Sequence, residues 1–169
     1  MEPSIIDLLG MRFAGVKVIP QPNDKVDNAD IEAFDFEGVA IGEASNTFLL
    51  NEDDPYLYGV ILKLSIDNVG GKIAPYDIEV SAIGHFRISK NVPLEKRYNL
   101  ISVNGCSMLY GAIREQVMNI TARSVHGMLV LPTASFKDKI KEEDKQSVEE
   151  KVPAKRSKKR IPKTKEQRV

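Results

Sequence analysis

Two stretches of strict alternation constrain this chain more than anything else in it. From Tyr56 to Ile66 the even positions read Tyr, Tyr, Val, Leu, Leu, Ile, while the odd positions include Gly59, Lys63 and Ser65. From Ala74 to Ile88 the even positions read Ala, Tyr, Ile, Val, Ala, Gly, Phe, Ile, against Asp77, Glu79, Ser81, His85 and Arg87 at odd ones. A helix would scatter these residues around its circumference. Only an extended chain gathers every second side chain on one face. The pattern predicts two half-buried antiparallel strands, each with a dry and a wet side. Asp67-Asn68-Val69-Gly70-Gly71 between them has the residue types of a hairpin turn.

The flanking segments fill out the same class. Met11 to Ile19 is β-branched and stops at Pro20-Gln21-Pro22, as a strand running into a loop would. Ser4 to Gly10 before it reads as a short apolar helical turn. Ile31 to Ile41 is a further strand candidate, Phe34 and Phe36 alternating with Asp35 and Glu37, with a bulge near Gly38 to reconcile Val39 and Ile41. After Pro93 the period changes. Leu109, Ile113, Val117 and Ile120 form one apolar stripe of an amphipathic helix of about five turns, with Asn104 or Ser107 at its start and Gly127 just past its end. Met128 to Phe136 is an extended crossover broken by Pro132. The fold class expected is α+β: a four-stranded antiparallel sheet, one long helix and a weaker C-terminal helix. One helix shields less apolar surface than such a sheet exposes, so self-association is expected.

Charge divides the chain. Residues 1–136 carry 11 Lys and Arg against 17 Asp and Glu, whereas residues 137–169 carry 13 against 7. The division predicts a folded domain over 1–136, a charged marginal helix over 137–150 that starts near Ser135 and is anchored by Phe136, Ile140 and Val148, and a disordered basic tail over 151–169. The N-terminus carries Glu2 and Asp7 where a signal peptide would be basic, and no apolar run approaches the roughly 20 residues of a membrane span. A cytoplasmic protein without membrane insertion is the expectation.

Enzymatic motifs do not emerge. Gly70-Gly71 lacks the Lys-Ser/Thr and helix of a phosphate loop. One cysteine and two histidines offer no metal cluster. His85 falls on a wet strand face, and His126 suits a helix C-terminus. Cys106 lies near the expected helix start, where a thiol pKa can fall, and reads first as a small packing residue. Glu52-Asp53-Asp54 is a turn before Pro55. Asn119-Ile120-Thr121 matches a glycosylation sequon but sits mid-helix. No catalytic residue, metal or cofactor is expected. Two binding features stand out instead. One is the apolar and aromatic set Phe34, Phe36, Tyr56, Leu129, Leu131 and Phe136, for each of which a plain core role competes. The other is the basic run Lys155, Arg156, Lys158, Lys159 and Arg160, continued by Lys163 and Lys165. Such a run solubilises, or meets nucleic acid and acidic surfaces electrostatically, and it contains no aromatic for base stacking.

The stretch from Asn104 to Phe136, NGCSMLYGAIREQVMNITARSVHGMLVLPTASF, resembles the signature region of the export chaperone SecB. The resemblance lies in Leu109, Arg114-Glu115, Arg123 and the crossover Leu129-x-Leu131 ending at Phe136. It extends back through Glu79-Val80, Gly84-x-Phe86 and Tyr58-Gly-Val60 with Leu62 and Leu64, covering Tyr56 to Phe136. It implies a tetramer built as a dimer of dimers, with Ile78, Val80 and Ala82 and the helix stripe Leu109, Ile113, Val117 and Ile120 at the assembly surface. It implies an ATP-independent holdase without active site or cofactor. Unfolded polypeptide clients would lie in long apolar grooves involving Leu129, Leu131 and Phe136. Export members dock the SecA motor through acidic side chains on the outer sheet face, here Asp77 and Glu79. Lys17 and the basic C-terminal end depart from that pattern. Other SecB-like proteins serve antitoxins in toxin–antitoxin systems. A nucleic-acid or ribosome-binding module acting through the tail is the alternative from a different class.

Overall fold

The computed structural model describes residues 4–26 and 34–139. Four strands form one antiparallel sheet: β1 (Ile6–Pro20), β2 (Val39–Leu49), β3 (Leu57–Gly71) and β4 (Tyr76–Ile88). Their order across the sheet is β1-β4-β3-β2, so the two most alternating segments are central and the others form the edges. Among the described residues one α-helix, α1 (Leu94–Thr121), crosses one face. The expected sheet-plus-helix architecture is the one observed.

The period-two reading accounts for the centre. Tyr58, Val60, Leu62, Leu64 and Ile66 of β3 and Tyr76, Ile78, Val80, Ala82, Phe86 and Ile88 of β4 are all buried toward the helix. Register places Leu64 opposite Val80 and Leu62 opposite Ala82, so both strands turn the same parity inward. The helix answers with a row spaced by four: Arg97, Ile101, Gly105, Leu109, Ile113, Val117 and Thr121, every one buried. Residues four apart lie on one face of an α-helix, and this face fits the inner sheet. Gly105 permits the approach, because a Cβ there would meet Val60 Cγ2 at 2.8 Å. Burying each large aliphatic side chain contributes about 1.5–3 kcal/mol.

Four local expectations are corrected. Ser4–Gly10 is no helical turn: β1 begins at Ile6, and register shifts between Leu8 and Gly10 and between Phe13 and Gly15 break the alternation that would have marked it as a strand. The second strand is Val39–Leu49 in place of Ile31–Ile41. Phe34 and Phe36 lie in the loop before it, residues 31–33 lie outside the described residues, and Gly38 turns the chain at φ +82°. The helix is longer than expected, 28 residues starting after Pro93. Asn104 and Ser107 are therefore mid-helix and donate back to Leu100 O and Val103 O at 2.8 Å each, capping nothing. The β3–β4 turn falls later than Gly71. Asn68, at φ +53°, organises it by donating to Asp77 Oδ1 (2.8 Å) and accepting from Ala74 N (2.7 Å).

After α1 the chain has no regular secondary structure from Met128 to Phe136, the stretch read from sequence as an extended crossover, and ends in a 3-10 turn at Lys137–Lys139. The rest of the expected 137–150 helix and the whole 151–169 tail lie outside the described residues. Thr121 fastens the crossover to the helix end: its hydroxyl donates to Val117 O (2.7 Å) and accepts from Leu129 N (2.8 Å). Thr121→Val keeps the shape and leaves a buried N–H unpaired. It is expected to lower unfolding stability in urea by about 1–3 kcal/mol; an unchanged midpoint would contradict this role.

Candidate functional site

A concavity of the described surface lies between β2 and the crossover. It encloses about 300 Å³ and is lined chiefly by Ile41, Leu64, Tyr110, Pro132, Ala134 and Phe136. Three elements hold it. Leu64 contributes from the inner face of β3 and Ile41 from the edge strand β2, while Tyr110 rises from α1 and donates its hydroxyl to Pro132 O (2.5 Å). That bond fixes the crossover's distance from the helix, and burial raises the Tyr110 phenol above its ordinary pKa. The Phe136 ring meets Tyr110 edge-on at 5.7 Å and forms the floor. Beyond it, Lys139 donates to Glu43 Oε2 (2.7 Å), pinning the 3-10 turn onto β2. The carboxylate of Glu43 raises the Lys139 pKa. The lining of the concavity joins the buried Leu64, Tyr110 and Phe136 to more exposed residues, among them the polar Thr133 and Ser135 and the charged Glu43 and Asp138.

Of the six apolar candidates from the sequence, only Phe136 lines this groove. Leu129, Leu131 and Phe136 are 0%, 1% and 4% exposed, so the crossover's large side chains are core, and Pro132 and Ala134 beside them face the groove. An extended segment over a sheet–helix core turns its largest apolar groups inward. Phe34 and Phe36 pair edge-to-face at 5.0 Å, with Lys72 Nζ 4.9 Å above Phe34. Tyr56 is covered by the Arg97 guanidinium at 4.4 Å and lines a separate hollow with Arg87 and Lys90.

Ile78, Val80, Ala82, Leu109, Ile113 and Val117 are sealed inside a single chain, so a second copy would not touch them. Ile120 is half-buried. Apolar surface is left at the edges instead. Leu8, Met11 and Val16 sit opposite Phe86, Gly84 and Val80, hence on the helix side of β1, and all three are exposed. The bulges of β1 concealed this strip in the sequence, with Gly10 and Gly15 as the readable signal.

The acidic candidates sit on the outer sheet face. Glu79 pairs with Lys63 at 2.9 Å, and that ammonium holds its carboxyl below the usual range. Lys17 stands opposite Glu79 in register. Asp77 accepts from Asn68. The basic run 155–160 lies outside the described residues.

His126 is buried, its Nε2 lying 2.6 Å from Gln21 O, with its ring edge-on to Tyr76 at 5.6 Å. It ties the end of β1 to the crossover. His85 is half-buried on the outer face. Among the described residues no group of His, Cys, Asp or Glu is placed to hold a metal, and no helix is long and apolar enough to cross a membrane. Cys106 lies mid-helix and buried, far from the N-terminus that lowers a thiol pKa, and desolvation raises it. Iodoacetamide is therefore expected to modify Cys106 at least about a hundredfold more slowly in the native protein than in denaturant. Rapid native alkylation would contradict this.

No protein-family model matches the chain, and no curated protein matches it. Among solved structures, the chain is similar to a Mycobacterium tuberculosis SecB-like chaperone in complex with a ChAD peptide from the HigA1 antitoxin. The TM-score is 0.48 and the identity 16%, covering 77% of this chain and 91% of that one. It is similar to the same degree, TM-score 0.48, to a protein of unknown function from Streptococcus agalactiae at 10% identity, covering 76% of this chain and 97% of that one.

Proposed function

We propose that this protein is an ATP-independent holdase of the SecB-like kind, which receives extended apolar segments of unfolded polypeptides in the groove between β2 and the crossover. The observation that carries this reading is the groove itself: an open trough with a base of Leu64, Tyr110 and Phe136 and a wall of Ile41, Pro132 and Ala134. Apolar side chains of an unfolded segment gain by leaving water there, and the site imposes little directional chemistry, so sequence preference is weak. A client long enough to occupy several such grooves compensates for weak individual contacts. Several grooves require several copies. The exposed Leu8, Met11 and Val16 on β1, whose far edge has no strand beside it among the described residues, supply a surface for self-association into an even-numbered homo-oligomer.

Export precursors and a dedicated antitoxin are the two client classes carried by the sequence resemblance. Export through a motor is the less favoured, because Glu79 is already engaged by Lys63. A toxin–antitoxin pair beside the gene would assign dedicated service.

The groove assignment predicts a specific pattern. Ile41 is 38% exposed and Ala134 is exposed, so acidic substitution there changes the trough without emptying the core. The wild-type protein is expected to suppress aggregation of a reduced, unfolded client at an equal subunit ratio. Ile41→Asp with Ala134→Asp should weaken capture by about tenfold or more, since one lost apolar contact of about 1.4 kcal/mol already amounts to that factor. Val69→Asp, on an exposed residue that lines no groove, should leave it unchanged. Undiminished capture by the double variant, with native circular dichroism, would overturn the site; no suppression by the wild type would overturn the function.

A further inference from the structure

We infer that the basic C-terminal segment of this same chain, residues 140–169, docks along the acidic β2 side of the domain and competes with clients for the groove. The competition rests on the holdase reading; the docking does not. Three observations carry it. The first is charge. Between Lys25 and Lys63 the chain holds nine Asp and Glu and no Lys or Arg, and β2 with its flanking turns runs through this stretch. Three of these acids are answered: Asp35 by Lys72 (3.2 Å), Asp54 by Arg87 (3.7 Å) and Glu43 by Lys139 (2.7 Å). Glu37, Glu52 and Asp53 stand exposed, with no ion pair among the described residues.

The second observation is placement. Lys139, the last described residue, is itself a cation from the C-terminal side seated on a β2 carboxylate, and Asp138 beside it lines the groove. The thirty residues that follow thus leave from the rim of the site. The third is reach and composition. β2 spans about 36 Å at the usual strand rise, and thirty residues reach up to roughly 100 Å. The last nineteen carry nine Lys and Arg and one acid, with Val152-Pro153 and Ile161-Pro162 set among them. Within β2 the one acid, Glu43, is already paired; the unanswered carboxylates stand in the turns at the two ends of the strand, and the cationic stretch 151–169, tethered through the acidic eleven residues 140–150, is complementary to them. Tethering gives the segment an effective concentration of the order of millimolar. Its occupancy raises the apparent client Kd by the inverse of the undocked fraction. The contact is exposed and electrostatic, so salt weakens it.

Two measurements on the full-length protein test this separately. The first is zero-length carbodiimide cross-linking of 14N and 15N chains refolded together. At about 50 mM salt it should join Lys155, Lys158, Lys159, Lys163 or Lys165 to Glu37, Glu52 or Asp53 within chains of one isotope. These links should fade near 0.5 M, and the Lys139–Glu43 link serves as internal control. Absent tail links, or links only between isotopes, would overturn docking, the latter assigning the tail to a second copy. Absent links with tail-dependent binding of an RNA oligomer would likewise overturn it. The second is anisotropy of fluorescein-labelled, reduced and carboxymethylated lactalbumin. Full-length variants with Lys155, Arg156, Lys158, Lys159 and Arg160 all changed to Gln, or with Glu37→Gln, Glu52→Gln and Asp53→Gln, should bind about three- to tenfold more tightly at low salt and equally at high salt. Tail links without any client binding would sustain docking and overturn the holdase reading. Client binding unaltered by both variants would overturn the competition.

Discussion

The row Arg97, Ile101, Gly105, Leu109, Ile113, Val117 and Thr121 on α1, pressed against the inner faces of β3 and β4, is the contact on which everything else in this domain depends. A four-residue step advances about 40° around a helix, so this row is a slanting ridge, and together with its buried neighbours Ser102, Cys106 and Tyr110 it keeps the helix against the sheet along its length. The contact needs a close approach, which Gly105 supplies over Val60, and it needs a fixed end. Thr121 provides that end by joining the helix to Leu129. From there the crossover is laid down with Leu129 and Leu131 inward and its small residues outward.

A helix about 10 Å across covers two strands spaced about 4.8 Å apart, not four. The central strands are therefore sealed and the edges are not. On β1 the uncovered residues are Leu8, Met11 and Val16, and on β2 they include Ile41. The crossover partly roofs the β2 side and in doing so creates the groove, whereas the β1 side is left bare. The exposed strip on β1 and the groove beside β2 thus have one geometric cause.

Much of the fold was legible, because β3 and β4 obey a two-residue period without interruption. The rest was hidden for identifiable reasons. The bulges of β1 reset its parity twice. β2 turns Glu43, Ser45 and Thr47 inward, satisfied by Lys139 and Ser102 among others, so it lacks the apolar face a strand search seeks. The first half of α1 carries its stripe through Arg97, Gly105 and Cys106, which do not register as apolar periodicity. The site was legible only in part. Sequence shows that Leu129, Leu131 and Phe136 are apolar but not how they divide: Leu129 and Leu131 are sealed in the core, and Phe136, though largely buried, lines the groove. The groove's true lining draws on Ile41, Leu64 and Tyr110, which the sequence marks as ordinary strand and helix residues. Only the fold brings them together.

Hydrogen exchange with and without a saturating unfolded client reports where a client sits on the domain without altering a residue. Added protection is expected at Ile41–Glu43 and Pro132–Asp138, the two segments that line the groove. Protection confined to the outer sheet face, or none at all on a client shown to be bound, would contradict the groove assignment.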